Sequence, residues 1–141
     1  MNTKNTDTAA APITSTVVPE GYRLGFLPRH FGNLMSAVES DVYGHMLNLA
    51  ADYTGGYWEF VDLSNGGCFM CPTQQDLRIV APNGFGATVS GEVAGIIATL
   101  YALSHLSFEY PETDRLATAF HQLREFALEH AHANDILAAI N

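Results

Sequence analysis

The sequence predicts an α+β fold: a single two-layer domain in which a small antiparallel sheet of about four strands, connected as a meander, is packed by helices. Two observations carry this. Asn65-Gly66 and Asn83-Gly84 each join short apolar runs, and Asn-Gly suits a tight hairpin turn because both residue types tolerate positive φ. On either side of that region apolar residues recur instead at spacings of three and four, the helical period.

The elements follow in order. Residues 1–12, rich in Thr, Asn and Ala, are expected to form a disordered tail, with residues 13–141 as the folded domain. Residues 14–18 alternate weakly, as a short edge strand does, and Pro19 ends them. Between 31 and 53 the apolar positions Phe31, Leu34, Met35, Val38, Val42, Met46, Leu49 and Tyr53 predict helix. Ser40-Asp41 is placed as an N-cap dividing it in two, and Gly55-Gly56 as its stop.

A hairpin over residues 57–72 comes next. A two-residue Asn65-Gly66 loop sets Leu63 against Cys68, Val61 against Met70, and Asp62 against Phe69. Both faces of this ribbon are apolar, so it is either covered on both sides or leaves an aromatic patch exposed. Residues 77–81 and 85–89 read as the third and fourth strands, in spatial order 1-2-3-4. Ser90 is an N-cap, with Glu92 in the first turn, for a helix to about Phe108 that is apolar nearly all round and therefore buried. Thr113 caps a further helix with Leu116, Phe120, Leu123 and Ala127 on one face, and Asn134-Asp135 begins a last short one.

Hydrophobic residues make up 48% of the 141 and charged residues 15%, a balance that supports a core and excludes a disordered chain. The formal net charge of −9 argues against sequence-independent binding to nucleic acid, which needs a basic surface. It raises the opposite idea, mimicry of DNA. A globule of this length is roughly 35–40 Å across, and duplex DNA of that length carries about 20 negative charges. The chain holds less than half of that, with its 6 Lys and Arg scattered among 15 acids, so global mimicry is not expected. The N-terminus has no secretory character, and the apolar run over 93–103 is too short to span a bilayer. Cys68 and Cys71, three apart on a strand, point to opposite faces and sit too far apart for a disulfide. Free, buried thiols fit a reducing cytoplasm.

No nucleophile, phosphate-loop or zinc-protease motif is present. The six histidines are dispersed, and nothing in their spacing supplies three converging metal ligands; Cys68 and Cys71 lack a second ligand pair. No metal or cofactor is therefore expected. Glu59 and Asp62 fall on opposite strand faces, which excludes them as an acid/base pair. Asp62 is expected to be solvated or paired, with Arg78 or Arg23 as the partner. The scarce cations Arg23, Arg29 and Arg78 are expected to bridge carboxylates or cap carbonyls.

Two longer stretches carry a resemblance. Gly55-Gly56-Tyr57-Trp58-Glu59-Phe60, followed by Leu63-Ser64-Asn65-Gly66-Gly67-Cys68-Phe69-Met70, resembles the central signature of the KlcA/ArdB antirestriction proteins. The run from Arg23 to Met35, RLGFLPRHFGNLM, resembles that family's other marker, and the likeness extends from about Val17 to the C-terminus. The resemblance implies a plasmid-borne factor that protects incoming DNA from host type I restriction-modification systems, without catalysis and without a catalytic residue to carry over. From the residues themselves a cytoplasmic protein that binds neither membrane nor nucleic acid directly is expected, and a monomer. For a direct acidic contact with its partner, the outer side of the helix over 113–130 is the candidate, because Asp114, Glu125 and Glu129 share it. The competing reading is a small hydrolase-like enzyme built around Asp62, which a concave pocket holding Asp62 and a basic partner would favour.

Overall fold

The computed structural model describes residues 11–141, so the tail expected over residues 1–12 lies almost wholly outside the described residues. The strands are β1 (Ser15–Val17), β2 (Trp58–Leu63), β3 (Cys68–Pro72), β4 (Leu77–Val80) and β5 (Gly86–Val89). The helices are α1 (Phe26–Phe31), α2 (Met35–Leu49), α3 (Gly91–Glu109), α4 (Arg115–Leu128) and α5 (Ala133–Ile140), with 3₁₀ turns over Glu20–Gly25 and Gly32–Leu34.

The mixed helix-and-sheet class holds, but the strands divide. β1, β2 and β3 form one antiparallel sheet in that order, and β4 pairs with β5 in a second. The physical reason lies at the outer edge of β3. There the Thr99 side chain from α3 donates its hydroxyl to the Met70 carbonyl (3.4 Å) and accepts from the Met70 N–H (3.3 Å). The edge that the meander would have given to β4 is thus occupied by a helix. α3 can approach this closely because it presents glycine. A Cβ at Gly95 would overlap the Met70 carbonyl and Cys71, and one at Gly91 would overlap the carbonyl oxygens of Pro72 and Gln74.

The hairpin register is shifted by one residue from expectation. Asp62 lies opposite Cys68, Val61 opposite Phe69 and Phe60 opposite Met70. The loop has three residues: Gly66 N–H donates to the Leu63 carbonyl, Leu63 N–H to the Gly67 carbonyl, and Gly66 takes φ 94°. This is a type I turn closed by a left-handed glycine. The second hairpin repeats it over Ala81 to Phe85, with Gly84 at φ 93°. In both, the turn asparagine accepts from the backbone two residues on, Asn65 from Gly67 (3.0 Å) and Asn83 from Phe85 (2.9 Å). Its amide then reaches a C-terminal helix: Asn65 donates to the Gln122 carbonyl (2.9 Å), and Asn83 to the carbonyls of Ala138 (2.8 Å) and Asn141 (2.6 Å). One residue type therefore makes each turn and ties it to the helical layer.

The long helix expected over 31–53 also differs. It breaks at Gly32, whose φ of 54° and ψ of −131° no helix accommodates, and α2 then runs unbroken through Ser40-Asp41. It stops at Leu49, where Ala50 turns extended and bridges Ile79. Ser90 caps α3 as expected, its hydroxyl accepting from Val93 N–H at 3.1 Å. At α4 the boundary residue is Asp114, with no side-chain cap bond, and Thr113 instead accepts from Arg115 N–H (3.2 Å).

Both faces of the hairpin are covered. Phe26 of α1 stacks on Phe60 at 4.6 Å, while Phe126 of α4 stacks on Phe69 at 5.9 Å on the opposite side. Helices thus lie on both faces of the three-stranded sheet instead of one. α3, at 19 residues, is long and apolar enough by composition to cross a bilayer, but its buried positions run from Gly91 to Leu106 and make it the core helix.

Candidate functional site

The two sequence stretches singled out above meet in space. The Arg23–Met35 stretch supplies the end of the first 3₁₀ turn and α1; the Gly55–Met70 stretch supplies β2 and most of β3. Arg23 lies with its guanidinium 4.5 Å from the rings of both Tyr57 and Phe60, a cation–π arrangement with two faces. Phe26 stacks on Phe60, and His30 packs against Phe26 at 4.9 Å. Tyr57 donates its hydroxyl to Glu20 at 3.1 Å.

At the end of this row sits Asp62. Arg29 donates to both of its oxygens (3.2 and 3.1 Å), and His30 Nε2 lies 2.6 Å from Oδ1. The partner is therefore Arg29 with His30, not Arg78 or Arg23. Arg78 uses its backbone N–H on Asp52, and Arg23 is held by the aromatic rings. Partial burial alone would raise the Asp62 pKa; the hydrogen bonds and charges of Arg29 and His30 outweigh it and hold the carboxyl below its usual value. Cys68 lies directly across from Asp62, yet it is 1% exposed, and burial together with the Asp62 charge pushes its thiol far up. Burial raises Cys71 to about 12. Neither sulfur is a nucleophile at neutral pH. None of the principal surface cavities is lined by Arg29, His30 or Asp62. The arrangement latches α1 to the hairpin.

Beside this latch, Tyr22, Leu24, Met35 and Tyr57 are exposed, Leu24 at 96%. Leu24 and Met35 border a cavity of about 320 Å³ with Arg23, Leu27, Pro28 and Phe60.

Of the three acids placed on the outer side of α4, two come together. Glu125 and Glu129 line a shallow cavity with Ser64 and Asn65 of the hairpin tip, and Glu129 accepts from Ile13 N–H at 3.1 Å. Asp114 is at the other end of the helix, about 16 Å away by helical rise. All three are exposed.

Four of the six histidines, dispersed in sequence, pair with acids in space. His30 meets Asp62, His45 and His105 meet Asp41, and His130 meets Glu92 at 2.7 Å. Only the spacings of four on a helix, Asp41–His45 and His105–Glu109, were a signal for this in the sequence. The other pairs join residues more than 30 apart.

Comparison with known proteins agrees with this geometry. The sequence profile of the family described as "Antirestriction protein" matches residues 51–141. Two Escherichia coli antirestriction proteins KlcA are 45% and 40% identical, the first over 93% of this chain and 95% of its own, the second over the full length of both. A solved structure superposes with a TM-score of 0.87 at 41% identity over all of both chains. It comes from work on the KlcA and ArdB proteins, described as showing a novel fold and antirestriction activity against type I DNA restriction systems in vivo but not in vitro. With the profile, the relatives and the superposition in agreement, the chain belongs to the antirestriction protein family.

Proposed function

We propose that this protein protects incoming plasmid DNA from type I restriction inside the cell, acting in the cytoplasm as a monomeric, non-catalytic interaction module and not as a DNA mimic. The observation that carries the reading is the state of Asp62. Asp62, at the junction of the two family stretches, is bound by Arg29 and His30, a pairing that ties α1 to the hairpin and favours an architectural role for these residues. The charge distribution argues the same way. Asp62 faces Arg29, and the 6 Lys and Arg are scattered among 15 acids, so the negative surface is thin. The structural neighbour's activity in vivo but not in vitro supports action through a cellular partner or a step after DNA binding.

An acidic contact on α4 rests on Glu125 and Glu129, which converge, with Asp114 apart from them. The test is plating of unmodified phage on a host with an active type I system. Expression of the protein is expected to restore plating. Changing Asp114, Glu125 and Glu129 together to Ala is expected to abolish that restoration if the contact lies there and to leave it intact if it lies elsewhere. Failure of the unaltered protein to restore plating would refute the assignment.

A further inference from the structure

Asp41 and His45 on α2 and His105 on α3 form a cluster that the antirestriction reading does not use. Each offers one donor atom, and these atoms all lie within 4.8 Å of one another. Asp41 Oδ2 is 3.2 Å from His45 Nε2 and 3.0 Å from His105 Nδ1. Around a tetrahedral ion with bonds of about 2.0–2.1 Å, neighbouring donors stand about 3.3 Å apart, so the two Asp41 edges are close to the required length and small side-chain rotations would set all three. We propose that Asp41, His45 and His105 form a binding site for a divalent first-row transition metal of the zinc class.

Three further features favour an ion over a purely hydrogen-bonded cluster. His105 turns its other nitrogen, Nε2, toward the Glu109 carboxylate at 3.5 Å. At that distance Glu109 is a nearby negative charge that favours a bound cation, and Nδ1, now bonded to Asp41, would give up its proton on ligating. The ligands stand on the two helices α2 and α3, which pack directly against each other in the core, so the donors are held by rigid elements. His45 is further oriented by stacking on Tyr101 at 5.6 Å. Finally, the cluster opens to solvent: the side chains of Asp41, His45 and His105 are 23, 27 and 49% exposed. An ion can enter, and water can complete its coordination. Two imidazoles and one carboxylate are borderline ligands, suited to zinc or cobalt and poorly suited to calcium or magnesium.

The experiment uses the full-length protein without a polyhistidine tag, titrated with Co²⁺ and followed by its visible absorption, then with Zn²⁺ by calorimetry. One ion per chain is expected, with a cobalt spectrum of low coordination number. His105→Ala, at the most exposed ligand, should weaken binding by about tenfold or more while leaving the circular dichroism unchanged; Asp41→Asn should do the same. Glu109→Gln, which removes only a nearby charge, should weaken it by less than His105→Ala does, without changing the stoichiometry. His121→Ala, outside the cluster, should bind as the unaltered protein does. No binding at millimolar metal would overturn the site, leaving a hydrogen-bonded His–Asp–His group. So would binding that survives His105→Ala and Asp41→Asn unchanged, or that is lost only in His121→Ala.

Discussion

Asp62 carries the pairing that joins α1 to the hairpin, and its replacement tests that pairing. Asp62→Asn removes the bidentate partner of Arg29 and weakens the His30 contact. With Arg29 52% exposed, solvent screening limits the loss to about 1 kcal/mol, read as a lower urea midpoint with unchanged slope. The pH dependence has a definite sign. Because the folded pKa lies below the ordinary value of 3.8, the contribution is fully present above that value and disappears as pH falls through the folded one. Acid titration of the two proteins should therefore show stability curves that differ at neutral pH and converge at the acid end. At Thr99, 1% exposed and the one buried polar side chain among the described residues, the stake is larger. Thr99→Val keeps the shape but strands the Met70 N–H and carbonyl, which is expected to cost about 1–3 kcal/mol by chemical denaturation, while Thr99→Ser retains most of the stability.

Elements were legible in the sequence where one residue decides them locally. Ser90 announced the start of α3, and each Asn-Gly announced a hairpin. The register was not legible, because Leu63-Ser64-Asn65-Gly66-Gly67 satisfies a two-residue and a three-residue loop equally. The three-residue form wins because it places glycine alone at positive φ and leaves the Asn65 amide free to reach α4. The split of the sheet was hidden for another reason. Thr99 reads as one more position of an apolar helix, and only in space does it complete the edge of β3. The same holds for the Arg29–Asp62 and Asp41–His105 pairs, whose partners lie 33 and 64 residues apart. Packing of α3 against this edge gives a prediction with a diagnostic sign. On an open helix surface Gly95→Ala would stabilise by about 1 kcal/mol through propensity. Here the added methyl meets the Met70 carbonyl and Cys71, so a net loss of about 1–3 kcal/mol is expected in thermal or urea unfolding.

At the scale of the whole molecule, the buried side chains of the helices and of both sheets form one contiguous cluster, running from Val18 to Ala139. Unfolding is accordingly expected in a single transition, coincident by far-ultraviolet dichroism and by the fluorescence of Trp58, the one tryptophan. The net charge of −9 is less than half that of a duplex of the same length, which argues against imitation of a duplex. DNA cleavage by a purified type I restriction enzyme, in a large molar excess of this protein and at low salt where charge competition is strongest, tests that claim most directly. The cleavage rate is expected to stay unchanged in the same preparation that restores phage plating in cells. Inhibition of the purified enzyme that fades as salt is added would contradict it and establish electrostatic mimicry instead.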